Sequence, residues 1–183
     1  MDFSIDEDRI ENSFDYIAKE LLLNHVIKVN NASCEITEIE FYYFNERKPP
    51  DYYTHDHNRR KGEWRLHKQG LDITFDGTKK GIDGGVLIRG LRIQEKYVNG
   101  PIRCLREIFK LMGSVQEKNY LQIVKEPLEK AEIIKTTRHL PNKVRYEDYH
   151  SKEYRYIKNL EQLSITSKEK ESIRLNCSIL NLP

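Results

Sequence analysis

Cys34-Glu35-Ile36-Thr37-Glu38-Ile39-Glu40-Phe41-Tyr42-Tyr43-Phe44 interleaves acidic and apolar residues with the two-residue period of a strand. Read this way, Ile36, Glu38, Glu40 and Tyr42 share one face, and Thr37, Ile39 and Phe41 point the other way. Same-face neighbours on a strand lie about 7 Å apart. A carboxylate at Glu40, beside Tyr42 and inside the apolar run from Ile39 to Phe44, is expected to be partly desolvated. Desolvation favours its neutral form and lets it act as a base near neutral pH.

The flanking sequence supplies the rest of a sheet. Ile10, Phe14, Ile17 and Leu21 recur at three- and four-residue steps, which predicts an amphipathic helix over 8–23. His25 to Val29 reads as a short strand, and Asn30-Asn31 as the turn of a hairpin into 34–44. Pro49-Pro50 breaks that strand and opens a polar loop through Lys61. Strands are predicted at Glu63 to His67, Leu71 to Phe75 and Val86 to Ile93, the last led in by Gly84-Gly85. Asn99-Gly100-Pro101 starts a helix that runs through Met112 and stops at Gly113. Residues 131–134 and 153–157 read as strands, and 167–176 as a last helix. There is no internal repeat and no low-complexity linker. The expected fold is a single α+β domain over 1–183, organised around a mostly antiparallel sheet.

Composition narrows the function classes. With 38% hydrophobic residues and no apolar run of membrane-span length, no membrane partner is expected. Cys34, Cys104 and Cys177 are odd in number and scattered, without pairing or metal spacing. They fit a reducing cytoplasm better than a disulfide framework, and the acidic start lacks the pattern of a signal peptide. Cytoplasmic location is the expectation, although a secreted form stripped of its leader would read the same. Net charge is +2 but uneven: residues 1–58 carry 5 basic against 13 acidic side chains, and 89–160 carry 16 against 9. This split fits either a basic face for a phosphate backbone or a solvated surface with incidental clustering.

Arg89 shares a face with Leu87, Leu91 and Ile93, and a guanidinium there needs a carboxylate, a carbonyl or a phosphate, or an exit to solvent along its stem. His55-Asp56-His57 has metal-ligand spacing, but no third ligand is placed by sequence, so no metal is assigned. His67, inside a predicted strand, reads by default as a structural histidine.

Taken in order, Glu38-Ile39-Glu40-Phe41-Tyr42, Asp51-Tyr52-Tyr53-Thr54-His55 and Val86-Leu87-Ile88-Arg89-Gly90-Leu91 resemble the alkyladenine (3-methyladenine) DNA glycosylase family. Gly100-Pro101 with Leu105, then Leu140 to Arg145 and Glu153 to Tyr156, are similar to its later elements, so the resemblance covers roughly 15–158. It implies a curved antiparallel sheet flanked by helices, and hydrolysis of the N-glycosidic bond of an alkylated or deaminated purine flipped out of DNA. It further implies Glu40 as the base that activates water, Arg89 beside that water, Tyr42 stacking on the flipped base and His55 contacting it. No metal, cofactor or obligatory protein partner is implied. No amine stands at the nucleophile position, so a monofunctional reaction without strand cleavage is implied.

The chain also departs from the family. His67 falls where a second stacking tyrosine is expected, and Lys68 or Gln69 stands where an aromatic would wedge into the duplex. Asp76 stands at or near an asparagine that helps select the base, and the loop 58–62 is shorter. Two further readings therefore stand beside the glycosylase: a non-catalytic nucleic-acid- or partner-binding module, and an N-glycosidic hydrolase of single strands, RNA or free nucleotides.

Overall fold

The computed structural model describes residues 1–49, 51–79, 81–138, 140 and 149–180. Its central element is the long strand Ala32–Asn45 (β2), which forms a hairpin with His25–Val29 (β1) across Asn30-Asn31, where Asn30 takes a positive φ of 51°. Asparagine tolerates that left-handed conformation, as the turn requires. One edge of β2 pairs throughout with Ile82–Ile93 (β5). Its other edge pairs first with β1 and then, over Glu38 to Glu40, with Arg155–Lys158 (β9).

Outward from this centre the sheet extends on both sides. β5 continues into Gly70–Thr74 (β4) and its hairpin partner Trp64–His67 (β3), and also pairs with Lys96–Asn99 (β6). β1 carries Leu121–Lys125 (β7), while β9 carries Ile133–Thr136 (β8) and then Cys177–Ile179 (β10). All these pairings are antiparallel, and the ten strands among the described residues belong to one sheet. With three α-helices among the same residues, this is an α+β fold. β6, β7 and β10, three to five residues each, were not among the strands expected from the sequence.

Ile10–Leu23 (α1) lies against the Phe41 face of the sheet. Its buried Phe14 stacks on Phe41 at 4.3 Å between centroids and meets Tyr154 edge-on at 4.9 Å, while Phe75 extends the stack. Each fully buried aromatic contributes about 1.5–3 kcal/mol relative to an exposed one, so this cluster anchors the fold. Pro101–Leu111 (α2) packs on β4 and β5 through Cys104 and Ile108, and Ser167–Leu175 (α3) begins with a capping box between Thr166 and Glu169. A smaller cluster of Ile134, Ile157 and Leu163 lies under α3 through Ile165 and Ile173.

Strict alternation along β2 is interrupted, which corrects the simple two-faced reading of Ile36 to Tyr42. The β2–β5 register shifts between Ile36 and Glu38 and again between Glu38 and Ile39, so that Thr37 and Arg89 have no directly opposed partner. Such bulges re-aim side chains. The glycine that follows Arg89 is required there, because a Cβ on Gly90 would lie 2.6 Å from Thr37 Oγ1 and 2.7 Å from Glu38 Cβ.

Gly84 is under still tighter constraint, with φ at +135° and a Cβ position 2.1 Å from the Tyr42 carbonyl oxygen. Gly84→Ala is expected to cost about 2–3 kcal/mol, from backbone strain added to the clash. Urea unfolding would show it, and an unchanged midpoint would contradict the assigned close approach.

Among the described residues, no helix is long and apolar enough to cross a membrane. Pro50 and residues 141–145, which carry parts of the predicted loop and of the late family-like element, lie outside the described residues.

Candidate active site

The bulged register brings the two carboxylates of β2 onto one guanidinium. Arg89 Nε donates to Glu38 Oε1 at 3.0 Å, and Arg89 Nη1 donates to Glu40 Oε2 at 3.1 Å. Arg155, from the neighbouring strand β9, donates through Nε to the same Glu38 oxygen at 2.8 Å. Glu38 is thereby the link between two arginines, and Glu40 is held by one arginine and by the Tyr42 hydroxyl, which donates to Oε2 at 2.8 Å. Glu40 is fully buried, and its Oε1 has no hydrogen-bond partner among the described residues. A buried carboxylate oxygen without a partner is unusual away from a reaction centre.

The surrounding titrations follow from this packing. Burial, then the Glu40 carboxylate, pushes the Tyr42 phenol far above its ordinary range, so it remains a donor. Burial opposes charge on Arg89, but the carboxylates of Glu40 and Glu38 outweigh it and raise its pKa. The cation is therefore permanent.

Tyr42 connects this buried group to a pocket of about 310 Å³, small among ligand sites. The pocket is walled by Tyr42, Tyr53, His55, His67, Gln69 and Asp72, with Leu87 among its apolar residues. The predicted residues Tyr42, His55, His67 and Gln69 therefore meet around one cavity, with Glu40 and Arg89 behind Tyr42. Lys68 is exposed in the β3–β4 turn next to it.

Asp76 does not join them. It sits beyond the end of β4, where its Oδ1 accepts from the Thr78 hydroxyl at 2.6 Å and the Thr78 amide at 3.2 Å. The acid of the pocket is Asp72, the middle residue of β4, which pairs with both His67 and Arg65.

Sequence reasoning also missed the group that holds the pocket loop. Arg138, two residues beyond β8, is fully buried in its side chain and pairs with the equally buried Asp51 at 2.8 Å. The same nitrogen donates to the Phe41 carbonyl at 3.0 Å, and the guanidinium lies 4.6 Å from the centroid of the Tyr42 ring. Asp51 in turn accepts from the Tyr53 amide and its carbonyl accepts from the Thr54 amide. Arg138 thus ties the site strand to the loop that carries Tyr53 and His55, and it covers part of the Tyr42 ring. Asp51 and Arg138 are 87 positions apart, so no local pattern could pair them.

His57 faces inward to the backbone: its Nε2 lies 2.8 Å from the Gly84 carbonyl oxygen, and its amide donates to Asp83. Among the described residues no three His, Cys, Asp or Glu side chains are grouped to hold a metal ion.

The two pocket histidines shift in opposite directions. His67 rises above the ordinary 6.5, chiefly through Asp72, whose Oδ2 lies 3.0 Å from Nε2, against partial burial. His55 falls below 6.5, first through burial and then through the Arg65 guanidinium. A raised folded-state pKa contributes stability that is complete below the unfolded value and is lost as pH rises through the folded value. The His67–Asp72 pair should therefore weaken as pH climbs above 6.5, through the raised value. Imidazole proton shifts are expected to give His67 a half-point above 6.5 and His55 one below it, with Asp72→Asn lowering chiefly the first. Coincident half-points would refute the pairing.

No protein-family model matches this chain, and no curated protein matches it in sequence.

Proposed function

We propose that this chain is a monofunctional DNA glycosylase of the alkyladenine type, hydrolysing the N-glycosidic bond of an alkylated or deaminated purine. The observation that carries the reading is the buried Glu40 carboxylate. One oxygen is held by Arg89 and Tyr42 and the other is left to accept, next to an aromatic and imidazole pocket.

In this reaction a flipped base enters the pocket and is sandwiched by Tyr42 and the His67 ring, which replace the stacking lost from the strand. Glu40 Oε1 accepts a proton from water as the water oxygen bonds to the sugar carbon. The bond from that carbon to the base nitrogen breaks, and the base leaves with the electron pair. The carboxylate also stabilises positive charge developing on the sugar, and Arg89 holds it in place. His55 and Asp72 supply polar contacts for the base edge. Lys68 and Gln69, at the hairpin tip, contact the strand without an aromatic wedge, which favours weakly paired or single-stranded DNA.

Mass-spectrometric detection of free bases released from methylated DNA and from hypoxanthine-containing oligonucleotides, duplex and single-stranded, tests this reading. Release by the parent protein is expected. Silence on every substrate would overturn it and favour a binding module on the same fold.

A further inference from the structure

A second and larger cavity, about 970 Å³, shares no lining residue with the Tyr42 pocket. It runs between the start of α2 and the segment from Ser164 through α3. Arg89 joins the two places: it lines the larger cleft while its Nη1 reaches Glu40, the partner of Tyr42.

Three observations give the cleft its chemistry. Four arginines line it against two glutamates, of which Glu38 holds Arg89 and Arg155, and Glu169 closes the capping box of α3. Arg103 is exposed and has no ion-pair partner among the described residues. The 11-residue helix α2 opens into the cleft with Gly100 as an N-cap that offers no side chain, and Pro101 has no N–H. The amides of Ile102 and Arg103 therefore lie in the first turn without an intrahelical acceptor, at the positive end of the helix dipole. Beside them stands Asn99, only 9% exposed, whose Oδ1 accepts from the Ser164 amide at 2.8 Å. Its Nδ2 has no partner among the described residues. A buried amide donor with no acceptor, next to an open helix start and a free guanidinium, is an arrangement suited to an oxyanion with several acceptor oxygens.

We propose that this cleft binds a phosphate group of a nucleic-acid strand, between Asn99, the start of α2 and Arg103. The volume suits a piece of chain rather than an isolated ion, and Arg89 places the cleft next to the pocket for a flipped base. The choice of a strand over free phosphate rests on the glycosylase reading; the anion chemistry does not.

The test is anisotropy of a fluorescein-labelled, undamaged oligothymidylate bound to the full chain through a salt titration, with inorganic phosphate as competitor. Asn99→Asp keeps the acceptor for the Ser164 amide and puts an anionic oxygen where the free donor stands. Arg103→Gln is at an exposed position and leaves the fold intact. Each is expected to weaken strand binding about tenfold, and Arg103→Gln to reduce the salt slope by about one phosphate contact. Inorganic phosphate should compete. Parental affinity and salt slope in Arg103→Gln, or in folded Asn99→Asp, would overturn the site. No anisotropy change on adding the full chain, even at the lowest salt, would overturn the strand as its occupant. An undamaged strand has no base to release, so its binding is read apart from catalysis; strand binding here with no base released from the methylated or hypoxanthine-containing substrates would sink the glycosylase reading alone.

Discussion

Glu40→Gln is expected to lower base release by about a thousandfold, within the range that a positioned general base contributes. The substitution is nearly isosteric, and its amide oxygen can still accept from the Tyr42 hydroxyl, which lies 2.8 Å from Oε2 in the parent. What disappears is the charge and the capacity to take a proton. Arg89 keeps its second carboxylate, with Nε 3.0 Å from Glu38 Oε1, so the guanidinium is not stranded in the interior. The variant should therefore fold and bind DNA as the parent does. Single-turnover release measured beside a circular-dichroism melt separates the two effects. Release at the parental rate from a folded variant would remove Glu40 from the chemistry.

Arg138→Gln should have the largest effect on stability, about 3–5 kcal/mol, because it leaves a buried carboxylate without its cation. Arg138 and Asp51 are both fully buried in their side chains, so water cannot replace the lost partner. The Phe41 carbonyl loses a donor as well. The double variant Asp51→Asn with Arg138→Gln should recover a large part of the loss, since it removes the charge instead of orphaning it. Urea unfolding of the four proteins measures this coupling, and additive effects would show that the pair is not a unit. Because Asp51 anchors the backbone before Tyr53 and Thr54, the single variant should also loosen the pocket wall.

Much of the architecture was legible in the chain because it is written at short range. Phe14, Ile17 and Leu21 repeat at helical spacing and are all fully buried in α1, and the acidic–apolar stretch is β2. Asn30-Asn31 turns as its residue types require, and Pro101 opens α2 at the expected place. β6 and β10 were not read from the sequence; their hydrogen-bond partners define them.

The candidate site divides in the same way. Residue types and spacing alone determined that Glu40 and Tyr42 are neighbours on a strand face, and that Arg89 sits in an apolar strand where it needs an anion. Only the tertiary structure decided that the anion is both Glu38 and Glu40, since the skipped register at Thr37 and Arg89 depends on how two strands 50 positions apart meet. It also decided that Asp72 rather than Asp76 enters the pocket, and that Arg138 closes onto Asp51. The physical reason is range. Side-chain periodicity and turn chemistry act over a few residues, whereas ion pairing in a low-dielectric interior selects partners by position in space, which sequence separation does not encode.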